Sequence, residues 1–103
     1  MDKKIVEIAK RYAQNVTSRM SVSMVVLYGS HARGSAGRDS DIDIAVVVDD
    51  FRGDYLKTSA ELFNMVRNVN RRIEPVLLCR RHDKSGFLEN VLKHGKIIYK
   101  SKG

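Results

Sequence analysis

Cysteine and proline occur once each in this 103-residue chain, and tryptophan does not occur at all. The lone Cys79 excludes an internal disulfide and a cysteine-based zinc site, and its place at the end of an apolar stretch reads as packing. No long apolar run is present either. The longest, residues 24–27 (MVVL) and 44–48 (IAVVV), are far too short to span a bilayer. The first residues, MDKKIVEIAKRYAQ, are amphipathic and charged throughout, unlike the apolar stretch of a signal peptide. These absences predict a cytoplasmic protein without a membrane role. Aromatic residues make up only 7% of the chain and form no clear surface on which nucleic-acid bases would stack.

What is present is an ordinary globular mixture, 43% hydrophobic and 30% charged. Its length suits a single domain, residues 1–103, with one modest core and little room for a second domain to hold a co-substrate. Nineteen Lys and Arg against twelve Asp and Glu give a net charge of +7, a balance that attracts anions. The basic residues are scattered, from Lys3, Lys4, Lys10 and Arg11 to Arg71, Arg72, Arg80, Arg81, Lys96, Lys100 and Lys102. Such scatter reads as a solvated surface, and direct nucleic-acid binding is not expected.

Periodicity outlines the elements. Ile5, Ile8, Ala9, Tyr12, Ala13 and Val16 recur at helical steps and predict a helix over about 3–17. Residues 22–28 and 42–48 read as buried strands, separated by a Gly- and Ser-rich loop with a helical turn near Ser30. After a polar break at 49–53, Tyr55, Ser59, Leu62, Phe63, Val66 and Val69 form a second helical stripe with Asp54 as N-cap. Residues 73–78 read as a third strand, and Pro75 predicts that it is short or at a sheet edge. A third helix is expected from about Lys84 to Lys93 with Gly95 as its stop, then a short strand at 97–99. The order α-β-β-α-β-α-β predicts an α/β (α+β) domain, a small mixed sheet flanked by helices.

The chemistry concentrates in residues 29–43, GSHARGSAGRDSDID. A strand that ends in Gly29-Ser30 and opens into a helical turn offers backbone N–H groups and a hydroxyl to a phosphate, with no Cβ at Gly29 to hold it off. The plainer alternative is a strand-to-helix turn with a serine cap. No Gly-Lys-Ser/Thr follows, so this is not a Walker loop. Asp41 and Asp43, two residues apart at the head of a strand, share a face. Ionised together they repel, and a cation such as Mg²⁺ removes the conflict; the alternative is an acidic turn open to water. An EF-hand is excluded, because Ile44 and Asp50 stand where its glycine and glutamate belong. Glu74, an acid inside an apolar stretch, is either an exposed strand-end residue or a third carboxylate for the same site. His31, His82 and His94 are scattered and read as surface or loop residues; only His31 stands close enough to the turn to touch a nucleotide.

Gly-Ser, ten residues, then Asp-x-Asp resembles the signature of the nucleotidyltransferase superfamily related to DNA polymerase β. The fuller GSHARGSAGRDSDIDIAVVV, with the downstream IEPVLL and HGKIIYK, resembles its minimal nucleotidyltransferase (MNT) branch, from Val22 onward. The resemblance implies a mixed sheet carrying catalytic acids and two Mg²⁺ ions, with ATP as substrate. Gly29 and Ser30 would hold the triphosphate; Asp41 and Asp43 would ligate both metals; Glu74 would be the third catalytic and metal-binding acid. Arg33, in the family's Ala-Arg-Gly stretch, and Arg38, placed only by the loop, would neutralise the triphosphate. The chain departs from many members in carrying Glu rather than Asp at position 74, with Pro75 directly after it. It also ends without the larger C-terminal domain that binds co-substrate in antibiotic nucleotidyltransferases. The acceptor is therefore expected on another protein or on a second copy, giving a homo- or hetero-oligomer. The branch implies an antitoxin that transfers AMP to a tyrosine of an all-helical HEPN-domain toxin. The alternative is a catalytically idle nucleotide- or partner-binding module of such a two-component complex.

Overall fold

The computed structural model describes residues 2–51, 53–83 and 85–102. The apolar stripe of the first segment forms α1 (Lys3–Thr17), capped by Asp2, whose carboxylate accepts from the Lys4 N–H at 2.8 Å. Ile5, Ala9, Tyr12, Ala13 and Val16 are its buried face. The first strand, β1 (Met24–Tyr28), begins two residues later than expected, with Val22 and Ser23 buried just ahead of it. Then come a five-residue helix α2 (Gly29–Arg33), β2 (Ile42–Val48) and α3 (Tyr55–Val66). Asp54 caps α3 as its position predicts, accepting from the Lys57 N–H at 3.1 Å. The chain continues through β3 (Ile73–Cys79), a 3₁₀ turn (Arg80–His82), α4 (Phe87–His94) and β4 (Lys96–Lys100). Gly95 ends α4 as expected, whereas the expected start at Lys84 lies outside the described residues, as does Arg52 in the polar break.

The four strands form one mixed sheet in the order β3-β2-β1-β4. β1 runs antiparallel to both neighbours, while β2 and β3 are parallel, joined by the α3 crossover that a parallel pair requires. β3 is an edge strand, as Pro75 predicts, because a missing N–H there costs no central ladder bond. It is not short, however: pairing continues from Ile42–Ile73 to Val48–Cys79.

Alternation along β2 splits the core. Ile42, Ile44, Val46 and Val48 face one layer with α1 and α3, where the Tyr12 hydroxyl donates to the Leu62 carbonyl at 2.7 Å. Ala45 and Val47 face the other layer with Met24, Val26 and the α4 residues Leu88 and Val91. Each wholly buried Val, Leu or Ile contributes roughly 1.5–3 kcal/mol, so this two-sided burial holds β1 and β2 firmly at the centre. Two stripe residues depart from expectation, Tyr55 at the start of α3, which is 44% exposed, and Phe63. Phe63 is 50% exposed, and Leu62, Met65 and Val66 are the buried residues of α3. The helix turns these three toward the sheet, leaving Phe63 on its outer shoulder.

Candidate active site

The site assembles where β1 ends and β2 begins, on the face that α4 covers. Tyr28 ends β1 in extended backbone; Gly29 then enters the left-handed region at φ +75° and starts α2. Gly34, also left-handed, stops the helix after one turn. The first N–H groups of α2 have no partners within so short a helix. The space that glycine leaves open at position 29 is filled from within: a Cβ there would collide with the Asp43 carboxylate Oδ2 and lie 3.0 Å from its Cγ. Gly29 is therefore required both by its backbone angle and by the carboxylate against it. Within the chain itself, the close approach that Gly29 permits is made by Asp43.

Asp43 stands between two neighbours on the same face. Tyr28 is its partner in the antiparallel β1–β2 ladder, and Glu74 its partner in the parallel β2–β3 ladder. Asp41, two positions earlier and just outside β2, shares that face by alternation. Asp43 is half-buried, whereas Asp41 and Glu74 are exposed. Burial, first, and the negative charges of Asp41 and Glu74, second, push the Asp43 carboxyl above its ordinary range; His31 and Arg33 pull it back. Burial, with Asp43 and Glu74 beside it, likewise raises the Tyr28 phenol to about 12. Glu74 is thus close enough to act electrostatically on Asp43. The three carboxylates do not, among the described residues, close to within 4.8 Å of one another. Their charges oppose one another at the mouth of the site, and an all-oxygen donor set of this kind fits a hard divalent cation, which would relieve the repulsion.

A cavity of about 340 Å³ opens beside Asp43, lined by Tyr28, Gly29, Arg33, Phe87, Asn90, Val91 and His94. Arg33 therefore belongs to the acids' surroundings. Arg38 does not: it lines a larger cavity of about 570 Å³ with Asp2, Lys4, His31 and Arg72. The smaller cavity is the one that Asp43 lines. Sequence reasoning missed its α4 wall, although Phe87, Asn90 and His94 follow the three- and four-residue steps of one helix face. Phe87 meets Tyr28 edge to face, with ring centroids 5.7 Å apart. It also missed Arg72, whose guanidinium donates to the Ser40 carbonyl at 2.9 and 3.3 Å. The His31 Nε2 lies 3.3 Å from the same carbonyl. His31 thus has the loop role expected of it, tethering the chain just ahead of Asp41.

Solved structures share this fold. A putative nucleotidyltransferase from Sulfolobus solfataricus superposes with a TM-score of 0.70 at 22% identity, covering 97% of this chain and 85% of its own. A toxin–antitoxin structure with AMP-PNP gives 0.67 at 21% identity, covering 90% and 74%. The toxin–antitoxin MntA-HepT gives 0.63 at 18%, covering 92% and 72%. The architecture is the nucleotidyltransferase fold. The chain belongs to the "Polymerase beta, Nucleotidyltransferase" family, whose model matches residues 3–103. Two curated relatives come from Methanocaldococcus jannaschii. Putative protein adenylyltransferase MJ0604 is 31% identical over 79% of this chain and 82% of its own. Putative protein adenylyltransferase MJ0141 is 24% identical over 88% and 95%. Among the described residues, no helix is long and apolar enough to cross a membrane.

Proposed function

We propose that this chain is a single-domain protein adenylyltransferase that takes AMP from Mg-ATP and transfers it to a hydroxyl on a partner protein. The observation that carries the reading is the position of Asp43, held against Gly29 on one side and paired in register with Glu74 on the other. That register puts Glu74 beside the aspartates and favours an enzyme over an idle nucleotide- or partner-binding module. In the proposed site the Gly29-Ser30 turn receives the triphosphate and Arg33 offsets its charge. The nucleotide lies along the cavity walled by Phe87, Asn90 and His94. Asp41, Asp43 and Glu74 hold Mg²⁺, two ions by family resemblance; when bound, the metal neutralises developing charge and aligns the attacking and leaving oxygens. The acceptor oxygen forms a bond to the α-phosphorus as the bond to pyrophosphate breaks, and the acceptor's proton passes to Glu74. Positioning and charge stabilisation carry most of such a reaction. Arg38, in the other cavity, is left out of the site.

The relatives' names and the toxin–antitoxin neighbours support a two-component reading. The chain is then the antitoxin, and the acceptor is a tyrosine of an all-helical HEPN-domain toxin. Calorimetric titration with ATP, with and without Mg²⁺, tests the site directly. The wild type is expected to bind only with Mg²⁺, and Asp41→Asn/Asp43→Asn to lose that binding. Equal binding by both proteins would remove the carboxylates from the site.

A further inference from the structure

We infer that the opposite end of the sheet carries a second metal site, formed by Asp50, Cys79 and His82 and suited to zinc or a similar borderline-soft divalent ion. One ligand atom from each residue lies within 4.8 Å of the other two. The fold explains the convergence. β2 and β3 are parallel and end in register at Val48 and Cys79, so the residues that follow both strands emerge side by side. Cys79 then leads into the 3₁₀ turn Arg80–His82. One tight turn of 3₁₀ helix after the extended Cys79 folds the chain back, and His82 ends with a ring nitrogen within 4.8 Å of the thiol. Asp50 enters from the end of β2, its carboxylate Oδ1 held by the Phe51 N–H at 2.9 Å.

The donor chemistry selects the ion. A thiolate and an imidazole prefer zinc over the Mg²⁺ expected at the all-oxygen site. Tetrahedral zinc, with bonds of about 2.0–2.3 Å, sets its ligand atoms roughly 3.5 Å apart. Binding would draw the three ligand atoms from within 4.8 Å of one another to that spacing. The Cys79 thiol donates to the Asp49 carbonyl at 3.6 Å. On binding, the zinc–sulfur bond replaces that S–H and its proton goes to solvent. Thiolate and carboxylate together then balance the dication. Arg81 approaches Asp50 at 3.4 Å, but its side chain is 71% exposed, and so weak a pair does not block a metal. Asp83 is not the fourth ligand, because its carboxylate accepts from the Leu88 and Glu89 N–H groups at the start of α4. The fourth position is left to water, from the cavity of about 460 Å³ that Cys79 and His82 line. The exclusion of a cysteine-based zinc site, drawn from the single cysteine, holds only for sites built on several thiolates; this one takes one thiolate and draws its remaining ligands from two other residue types. At about 3.3 Å per strand residue, it lies roughly 20 Å from Asp43 and is independent of the adenylyl-transfer reading. There it would staple the end of β2 to the end of β3.

Cys79 is the only thiol in the chain, so its alkylation by iodoacetamide reports on this site alone. Zn²⁺ is expected to slow the reaction and Mg²⁺ to leave it unchanged. Co²⁺ should give a thiolate-to-cobalt charge-transfer band at one ion per chain. Cys79→Ser should abolish the band, and His82→Ala should lower zinc affinity by about 100-fold or more. Asp41→Asn/Asp43→Asn should keep both. Far-UV circular dichroism confirms that each variant is folded. Absence of the band and of zinc protection in the folded wild type overturns the proposal. So does zinc binding that survives Cys79→Ser but not the double aspartate change.

Discussion

Two glycines with the same backbone strain and different surroundings allow the contact between Gly29 and Asp43 to be tested apart from the fold. Gly29 and Gly34 flank α2 at φ +75° and +77°. Alanine at either position is forced into the left-handed region, at a cost of roughly 1–2 kcal/mol. At about 4–8 °C per kcal/mol for a domain of this size, both variants should melt measurably lower, and by similar amounts. A Cβ at Gly34 meets nothing within 4 Å, whereas one at Gly29 overlaps the Asp43 carboxylate. The atoms struck belong to a side chain that can rotate away, so the clash adds little to the folding cost. It displaces the carboxylate instead. Misplacement by about 1 Å can cost about 100-fold in a site that depends on positioning. Gly29→Ala should therefore weaken Mg²⁺-dependent ATP binding and slow AMP transfer by about that factor, while Gly34→Ala retains both despite a similar fall in Tm. Calorimetry for binding and urea titration for stability separate the two effects. Equal ATP affinity in both variants would falsify the claim that Gly29 keeps Asp43 in place.

Two further outcomes follow from named contacts. Because the folded Asp43 carboxyl titrates above its unfolded value, of about 3.9, the native state binds the extra proton between the two. That favourable contribution is complete below the unfolded value and lost as pH rises through the folded one; Asp43→Asn should flatten this fall in urea titrations without Mg²⁺. Tyr12→Phe removes the buried 2.7 Å hydrogen bond from α1 to the Leu62 carbonyl in α3, and should cost about 1 kcal/mol with ATP binding unchanged.

Some of this was legible in the chain and some was not, for physical reasons. Helix and strand periods depend on neighbours a few residues apart, so α1, β2 and the Asp54 cap could be read directly. Gly29-Ser30 and the Asp41/Asp43 pair were legible in the same way, since a strand alternates its faces whatever lies beside it. Strand pairing is different. That Tyr28 and Glu74 flank Asp43 depends on one antiparallel and one parallel register, neither of which is written locally. Phe63 was misplaced because a helical stripe gives a face but not the width of the partner surface; α3 buries Met65 and leaves Phe63 outside. Asp50, Cys79 and His82 illustrate the same limit more sharply. Read along the chain, they are a loop acid, a packing thiol and a surface histidine. Only the common end point of β2 and β3, followed by a three-residue turn, brings them together. The two ends of β2 therefore differ in kind: its start carries a spaced motif that the chain spells out locally, and its end carries a juxtaposition of side chains that exists only once the parallel pair has formed.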